Sequence, residues 1–314
     1  MPPALLCEKA ACFFNQEYMI GTRKNKPLWG YLFISPLLIC VILLLLYPMF
    51  DTIRTAFFDI QLVNISKKTF VGFKNFQTIF TQENPNFVTG IMRVTLIFVF
   101  FSVVLQVGFG LSLALSLHLK WLKGKIFFRN VFLLPWVTAG VVCGFSWKFL
   151  FNQTVGVLNY LVTLVGLSPQ AWLSDPHLVM PSIIFANIWK GTTYSLLIQL
   201  AGLQSIPDEL YEVALVDGAS KVQSLRYITI PMLVPFLFIN LVTETGDTFH
   251  VFDRIYAMTG GGPLHSTELL SIFMYRNAFV YGNLGVGAAV AVFELLLGLA
   301  FALAYIFIFR QEKV

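Results

Sequence analysis

Apolar residues in this chain fall in long runs, with polar residues gathered in shorter stretches between them. A helix needs about 20 mostly apolar residues to cross the hydrocarbon core of a bilayer. Six runs reach that length: residues 29–50, 95–117, 131–151, 181–203, 231–252 and 284–309. The last is rich in Gly and Ala, which lets helices approach closely. The pattern predicts an all-α integral membrane protein with six transmembrane helices over 28–310, an N-terminal tail at 1–27 and a short C-terminal tail at 311–314. The amphipathic piece FVGFKNFQTIF (70–80) is expected at the membrane interface.

One polar stretch breaks this pattern: LQSIPDELYEVALVDGASKVQSLRYITIP, residues 203–231. Ser205 followed by Asp208 has capping-box spacing, with Pro207 suited to an early helical position, and Ser220 followed by Gln223 repeats the signature. Gly218 between them suits the left-handed end of a helix. The stretch therefore predicts helix, Gly turn, helix, each helix too short to be stable alone. The first mixes Asp208, Glu209, Glu212 and Asp217 with apolar Leu210, Tyr211, Val213, Ala214 and Leu215. Resting on the membrane surface is the alternative, but an anionic leaflet repels acids, so docking on a cytoplasmic protein is the favoured expectation.

Composition agrees: 57% of residues are hydrophobic and only 12% charged, against about 25% charged in soluble domains. The net charge of +5 does not point to nucleic acid, because the basic residues form no single patch. They recur in loops and orient the chain. Lys9, Arg23, Lys24 and Lys26, then Lys120, Lys123, Lys125 and Arg129, then Lys221 and Arg226, then Arg310 and Lys313 fall on one side of a six-span arrangement. Both termini and loop 205–231 are therefore expected in the cytoplasm. Cys7, Cys12, Cys40 and Cys143 have neither metal nor disulfide-framework spacing. The first residues lack a basic region and carry Glu8 and Glu17, so targeting is expected from the first span.

Ionisable residues inside spans mark function by default. In the fourth span Asn187, Lys190, Gly191 and Tyr194 share a helical face, and in the fifth Asn240, Glu244, Asp247, Thr248 and Val251 do so. One reading is an internal Lys190–Glu244 or Lys190–Asp247 ion pair that fixes packing; the other is a ligand-binding face. His118, His177, His250 and His265 are scattered, and no metal site or catalytic constellation is expected. No GxxxxGK[ST] occurs, so a P-loop is excluded. The run Thr259–Gly–Gly–Gly–Pro263 has no following Lys and reads as a flexible outer loop.

Glu212-Val213-Ala214, three residues, Gly218, nine residues and Ile228-Thr229-Ile230-Pro231 resemble the EAA loop of binding-protein-dependent ABC importer permeases. Val213 and Ile230 depart conservatively from that pattern. FFRNVFLLPWV (127–137), WKFLFNQTVGVLNYL (147–161) and FDRIYAMTGGGPLHSTELL (252–270) resemble the carbohydrate-importing, maltose-transporter-like branch, and the similarity spans about 28–309. The resemblance implies a permease half-pathway for an oligosaccharide, with a second permease subunit, two ATPase subunits and an external or periplasmic solute-binding protein, in a prokaryotic inner membrane. It implies that the loop about 205–231 is a coupling loop seated on the ATPase through Glu212, Ala214, Asp217 and Gly218. ATP and Mg belong to the partners; this chain is expected to bind no cofactor and to be no enzyme itself. The resemblance also supports Gly191, Tyr194, Glu244, Asp247, Thr248 and Val251, beside Asn187 and Lys190, as a sugar-lining face. Because Lys190, Glu244 and Asp247 are charged, Lys190 is a candidate partner for the carboxylate of an acidic sugar. The alternative is a secondary transporter with Glu244 and Asp247 as its ion site; a membrane enzyme lacks a nucleophile or metal cluster.

Overall fold

The computed structural model describes residues 27–119 and 122–310. Most of the two expected tails, with Cys7, Cys12 and the basic residues before Pro27, lies outside the described residues. The chain divides into two compact units, residues 1–51 and 52–314. The first holds α1 (Pro27–Val41), a π-helical turn (Ile42–Leu46) and most of α2 (Tyr47–Thr55). Tyr31–Thr55 is long and apolar enough to span a membrane.

The second unit opens with a correction to the all-α expectation. Strands β1 (Phe58–Gln61) and β2 (Asn64–Phe70) form a two-stranded antiparallel hairpin, with Phe58 opposite Phe70. The expected interfacial piece is the helix α3 (Lys74–Thr81), and Asn75 Nδ2 ties it to the hairpin through the carbonyls of Ala56 (2.8 Å) and Phe58 (2.9 Å). Asn86 caps the next helix, accepting from the amides of Val88 and Thr89. A π turn (Phe87–Met92) then runs into α4 (Arg93–His118).

The expected third span is not one helix. α5 (Lys125–Val137) and α6 (Gly140–Leu150) are bent by 99° at the intervening residues. Pro135 stands in the last turn of α5, and Thr138 and Ala139 adopt extended backbone. A proline lacks the helix-propagating N–H and crowds the preceding turn, so a uniformly apolar run conceals the break. After α7 (Val157–Leu164) comes α8 (Val179–Gln204), the expected fourth span. Its 26 residues rise about 39 Å. It packs chiefly along α4 and also against α5 and α11 (Ile230–Phe249). Asn187, Ser195 and Gln199 on it are wholly buried, so its polarity reflects protein on its sides rather than lipid.

The fifth span begins earlier than expected. α10 (Lys221–Ser224) follows α9 (Asp208–Val216), and a π turn at Leu225–Thr229 carries the helix past Pro231 into α11. The Ile230 amide donates to Leu225 O, five residues back. Lys221–Phe249 is thus one 29-residue helix. α12 (Asp253–Thr259), α13 (Leu270–Tyr275) with its π turn (Arg276–Val280), and α14 (Leu284–Arg310) complete the chain. Leu296, Leu299, Leu303, Ile306 and Phe307 stay exposed along α14, an apolar surface suited to lipid.

The Gly-Gly-Gly-Pro run is cross-braced rather than flexible. Thr259 and Thr267 hydroxyls share a 2.8 Å hydrogen bond, Thr267 Oγ1 donates to Gly262 O, and Arg276 Nη2 donates to Gly260 O at 2.7 Å. Arg276 also pairs with buried Glu268, and His265 contacts the same carboxylate oxygen.

Candidate functional site

The break between α5 and α6 creates the site. Where α5 stops, its last carbonyls have no partners one turn further on. Lys190, reaching from α8, donates to the carbonyls of Pro135 (3.4 Å), Trp136 (3.3 Å) and Thr138 (2.5 Å). A cation at a helix C-terminus also suits the negative end of the helix dipole. Neither Glu244 nor Asp247 pairs with Lys190 among the described residues. The ion-pair reading of this face thus finds no support among the described residues, where Lys190 caps α5 instead.

Beside this cap lies a cavity of ≈730 Å³, within the range of small-ligand sites. Its wall takes residues 136–140 from the break, Lys190, Gly191 and Tyr194 from α8, Thr243, Glu244 and Asp247 from α11, and residues 250–254 beyond. Six of the eight sequence-expected residues line it: Lys190, Gly191, Tyr194, Glu244, Asp247 and Val251. Asn187 and Thr248 do not; both are wholly buried behind the wall. They belong to a network built on Gln106 of α4, which the sequence reading missed. Gln106 Nε2 donates to Asn187 O at 3.1 Å, and Thr248 Oγ1 donates to Gln106 Oε1 at 3.3 Å. Gly191 permits this approach, since a Cβ there would stand 2.4 Å from Gln106 Nε2.

Arg254, two residues past the fifth apolar run, was missed as well. Its guanidinium is 6% exposed, donates from Nε to Asn187 Oδ1 at 2.7 Å and pairs with Asp247 at 3.4 Å. The single Ser195 hydroxyl proton is shared between Asn240 Oδ1 (3.1 Å) and Glu244 Oε1 (3.3 Å). The cavity thus has two cations already held by protein acceptors, and a carboxylate, Asp247, that is 68% exposed. Tyr194 and Phe252 add aromatic surface. Such walls can hydrogen-bond hydroxyls and stack against flat apolar faces. A second cavity of ≈660 Å³, lined in part by Lys125, Arg129 and Asp208, lies at the α8–α9 junction. It shares no wall residue with the first.

The polar stretch has the expected shape with two differences. Gly218 has φ +77°, and the Gly218 and Ala219 amides donate to Leu215 and Ala214 carbonyls, closing α9. The Ser220–Gln223 capping box is present. The Ser205–Asp208 box is not: Ser205 ends α8 and its hydroxyl bonds Gly202 O, while Pro207 is the cap residue of α9. The second helix is also no short piece but the head of the long one. Glu212, Asp217 and Gly218 are exposed and Ala214 is half-buried. Leu215 and Val216, at 75% and 87% exposure, form an apolar tip.

Over residues 85–312 the chain matches the family described as binding-protein-dependent transport system inner membrane component. It is 36% identical to the trehalose/maltose transport system permease protein MalF of Thermococcus litoralis, covering 90% of this chain and 94% of that one. It is 31% identical to the sulfoquinovosyl glycerol transport system permease protein SmoG of Agrobacterium fabrum, covering 91% of each. Among solved structures, a bacterial ABC transporter involved in import of the acidic polysaccharide alginate contains a chain of similar fold. The TM-score is 0.79 at 26% identity, over 91% of this chain and 96% of that one.

Proposed function

The chain belongs to the binding-protein-dependent transport system inner membrane component family, and from that premise we propose how it serves as the permease of an ABC oligosaccharide importer. The cavity carries the reading. It offers hydroxyl-binding side chains and aromatic rings at a helix break inside the bundle, where a sugar must shed water and find new partners. Six spans follow if α8 and the broken α5–α6 pair each cross once, beside the four long apolar helices. On that arrangement 28–310 would be the transmembrane domain, and the basic residues of the loops would keep both tails, 1–27 and 311–314, with loop 205–231 in the cytoplasm of a prokaryotic cell.

The exposed Leu215–Val216 tip, flanked by Glu212 and Asp217, supports a coupling role. Short helices are unstable alone, and an apolar tip gains by burial in a partner cleft. Glu212 would meet basic groups of an ATPase subunit, while Ala214 and Gly218 keep the turn compact. ATP and Mg would be bound by two such subunits, and a second permease would complete the pathway fed by a solute-binding protein. The cavity side chains Lys190, Gly191, Tyr194, Glu244, Asp247 and Val251 would line the substrate route, with Asn187 and Thr248 holding its wall.

Committed Lys190 and Arg254 and exposed Asp247 favour a neutral oligosaccharide. Likeness to the alginate importer favours the second reading, an acidic one. The assembled transporter in proteoliposomes decides both points. ATP-dependent uptake of radiolabelled maltopentaose, with weaker competition by an oligouronate, is expected. Preference for the oligouronate selects the acidic reading. Gradient-driven uptake by the lone chain would replace the importer reading with the secondary transporter.

A further inference from the structure

Phe252, on the cavity wall, is the first of four aromatic rings in contact with one another. Its ring lies 4.9 Å from Tyr256, nearly parallel at 20°, and 4.9 Å from Tyr275. Tyr275 in turn stands 5.2 Å from Tyr256 and 5.4 Å from Phe279. Burial falls along the series: Phe252 is on the cavity wall, Tyr256 is 38% exposed and Phe279 56%. The backbone beneath is fixed, with Ser271 Oγ bonded to Val251 O (2.6 Å) and Arg276 bonded to Gly260 O (2.7 Å). Neither the Tyr256 nor the Tyr275 hydroxyl has a hydrogen-bond partner among the described residues.

We propose that Phe252, Tyr256, Tyr275 and Phe279 form an entry path on which the pyranose rings of the oligosaccharide stack before reaching the cavity. This rests on the oligosaccharide-importer reading. The axial C–H faces of a pyranose carry slight positive charge and are drawn to the negative face of an aromatic ring. The free tyrosine hydroxyls then meet sugar hydroxyls. Lipid tails would bury those hydroxyls without partners, and a subunit surface would have to supply a partner to each. Continuity with the cavity through Phe252 gives the path its direction.

Reconstituted complexes carrying Tyr256→Ala, Phe279→Ala or Tyr256→Phe test this with radiolabelled maltose, maltopentaose and a pentameric oligouronate. Aromatic contacts worth about 1 kcal/mol beyond their buried area predict that KM for the transported pentamer rises about 5- to 10-fold in each Ala variant. It should rise less for maltose, which spans fewer rings, and Tyr256→Phe should stay close to the parent. Co-purification of the second permease and the ATPase should not change. Unchanged KM in both Ala variants overturns the path, as does loss of subunit co-purification, which makes the rings an interface. A fall in reconstitution yield with unchanged KM assigns them to lipid and also overturns it. A parent complex that transports none of the three sugars overturns the importer reading instead, before any variant is compared.

Discussion

Lys190 separates two accounts of the cavity. If its ammonium caps α5, replacing it with Met strips the carbonyls of Pro135, Trp136 and Thr138 of their donor. The bond to Thr138 O is 2.5 Å, whereas the other two are 3.3 and 3.4 Å, so one strong contact dominates. A charged hydrogen bond contributes about 1.5–3 kcal/mol net, and the helix dipole adds about 0.3–1 kcal/mol. Water in the adjoining cavity re-solvates part of what is lost, leaving about 2 kcal/mol, a factor of about 30 in local opening. Hydrogen exchange of the complex in nanodiscs should therefore quicken about 30-fold at amides 136–138, which close the last turn of α5, in Lys190→Met. Uptake of neutral and acidic oligosaccharides should fall together, because the wall that both would meet has loosened. Lys190→Arg should recover part of the protection, since a planar fork cannot point at three converging carbonyls as an ammonium does. The capping account fails if exchange at 136–138 is unchanged while uptake of the acidic sugar alone is lost. That result would make Lys190 a substrate contact.

Gly191→Ala pushes a methyl into the Gln106 amide and should cost about 1–3 kcal/mol; adding Gln106→Ala should return part of this, read as positive coupling in a thermal-unfolding double-mutant cycle. Arg254→Met leaves buried Asn187 Oδ1 without its donor and should cost about 1–3 kcal/mol, measured as a lower unfolding midpoint with reduced uptake. Gly218→Ala forces a side chain into φ +77°, at about 1–2 kcal/mol, and should weaken ATPase co-purification while membrane insertion is intact. Glu212→Lys should abolish substrate-stimulated ATP hydrolysis without changing insertion; wild-type transport in this variant would contradict docking through Glu212.

How far sequence could reach depended on where each residue's partners lie. The Gly218 turn and the Ser220–Gln223 box were legible because their hydrogen bonds close within a few residues. The faces of α8 and α11 were legible as polar stripes, but periodicity defines a stripe, not which edge meets the cavity. Asn187 turned inward because Gln106 and Arg254 claimed it, and they lie 81 and 67 residues away in sequence. The β1–β2 hairpin left little trace because all seven β2 residues are exposed, so neither face needs apolar alternation. Arg254 looked like a loop charge because α12 folds back against α6 only in three dimensions. Lys190 is the sharpest case. Its partners are main-chain carbonyls 52 to 55 positions earlier, and a carbonyl looks the same in every residue. Two carboxylates at helical spacing on α11 therefore offered an ion pair as one reading, when the group that needed the charge was the helix end at Val137–Thr138.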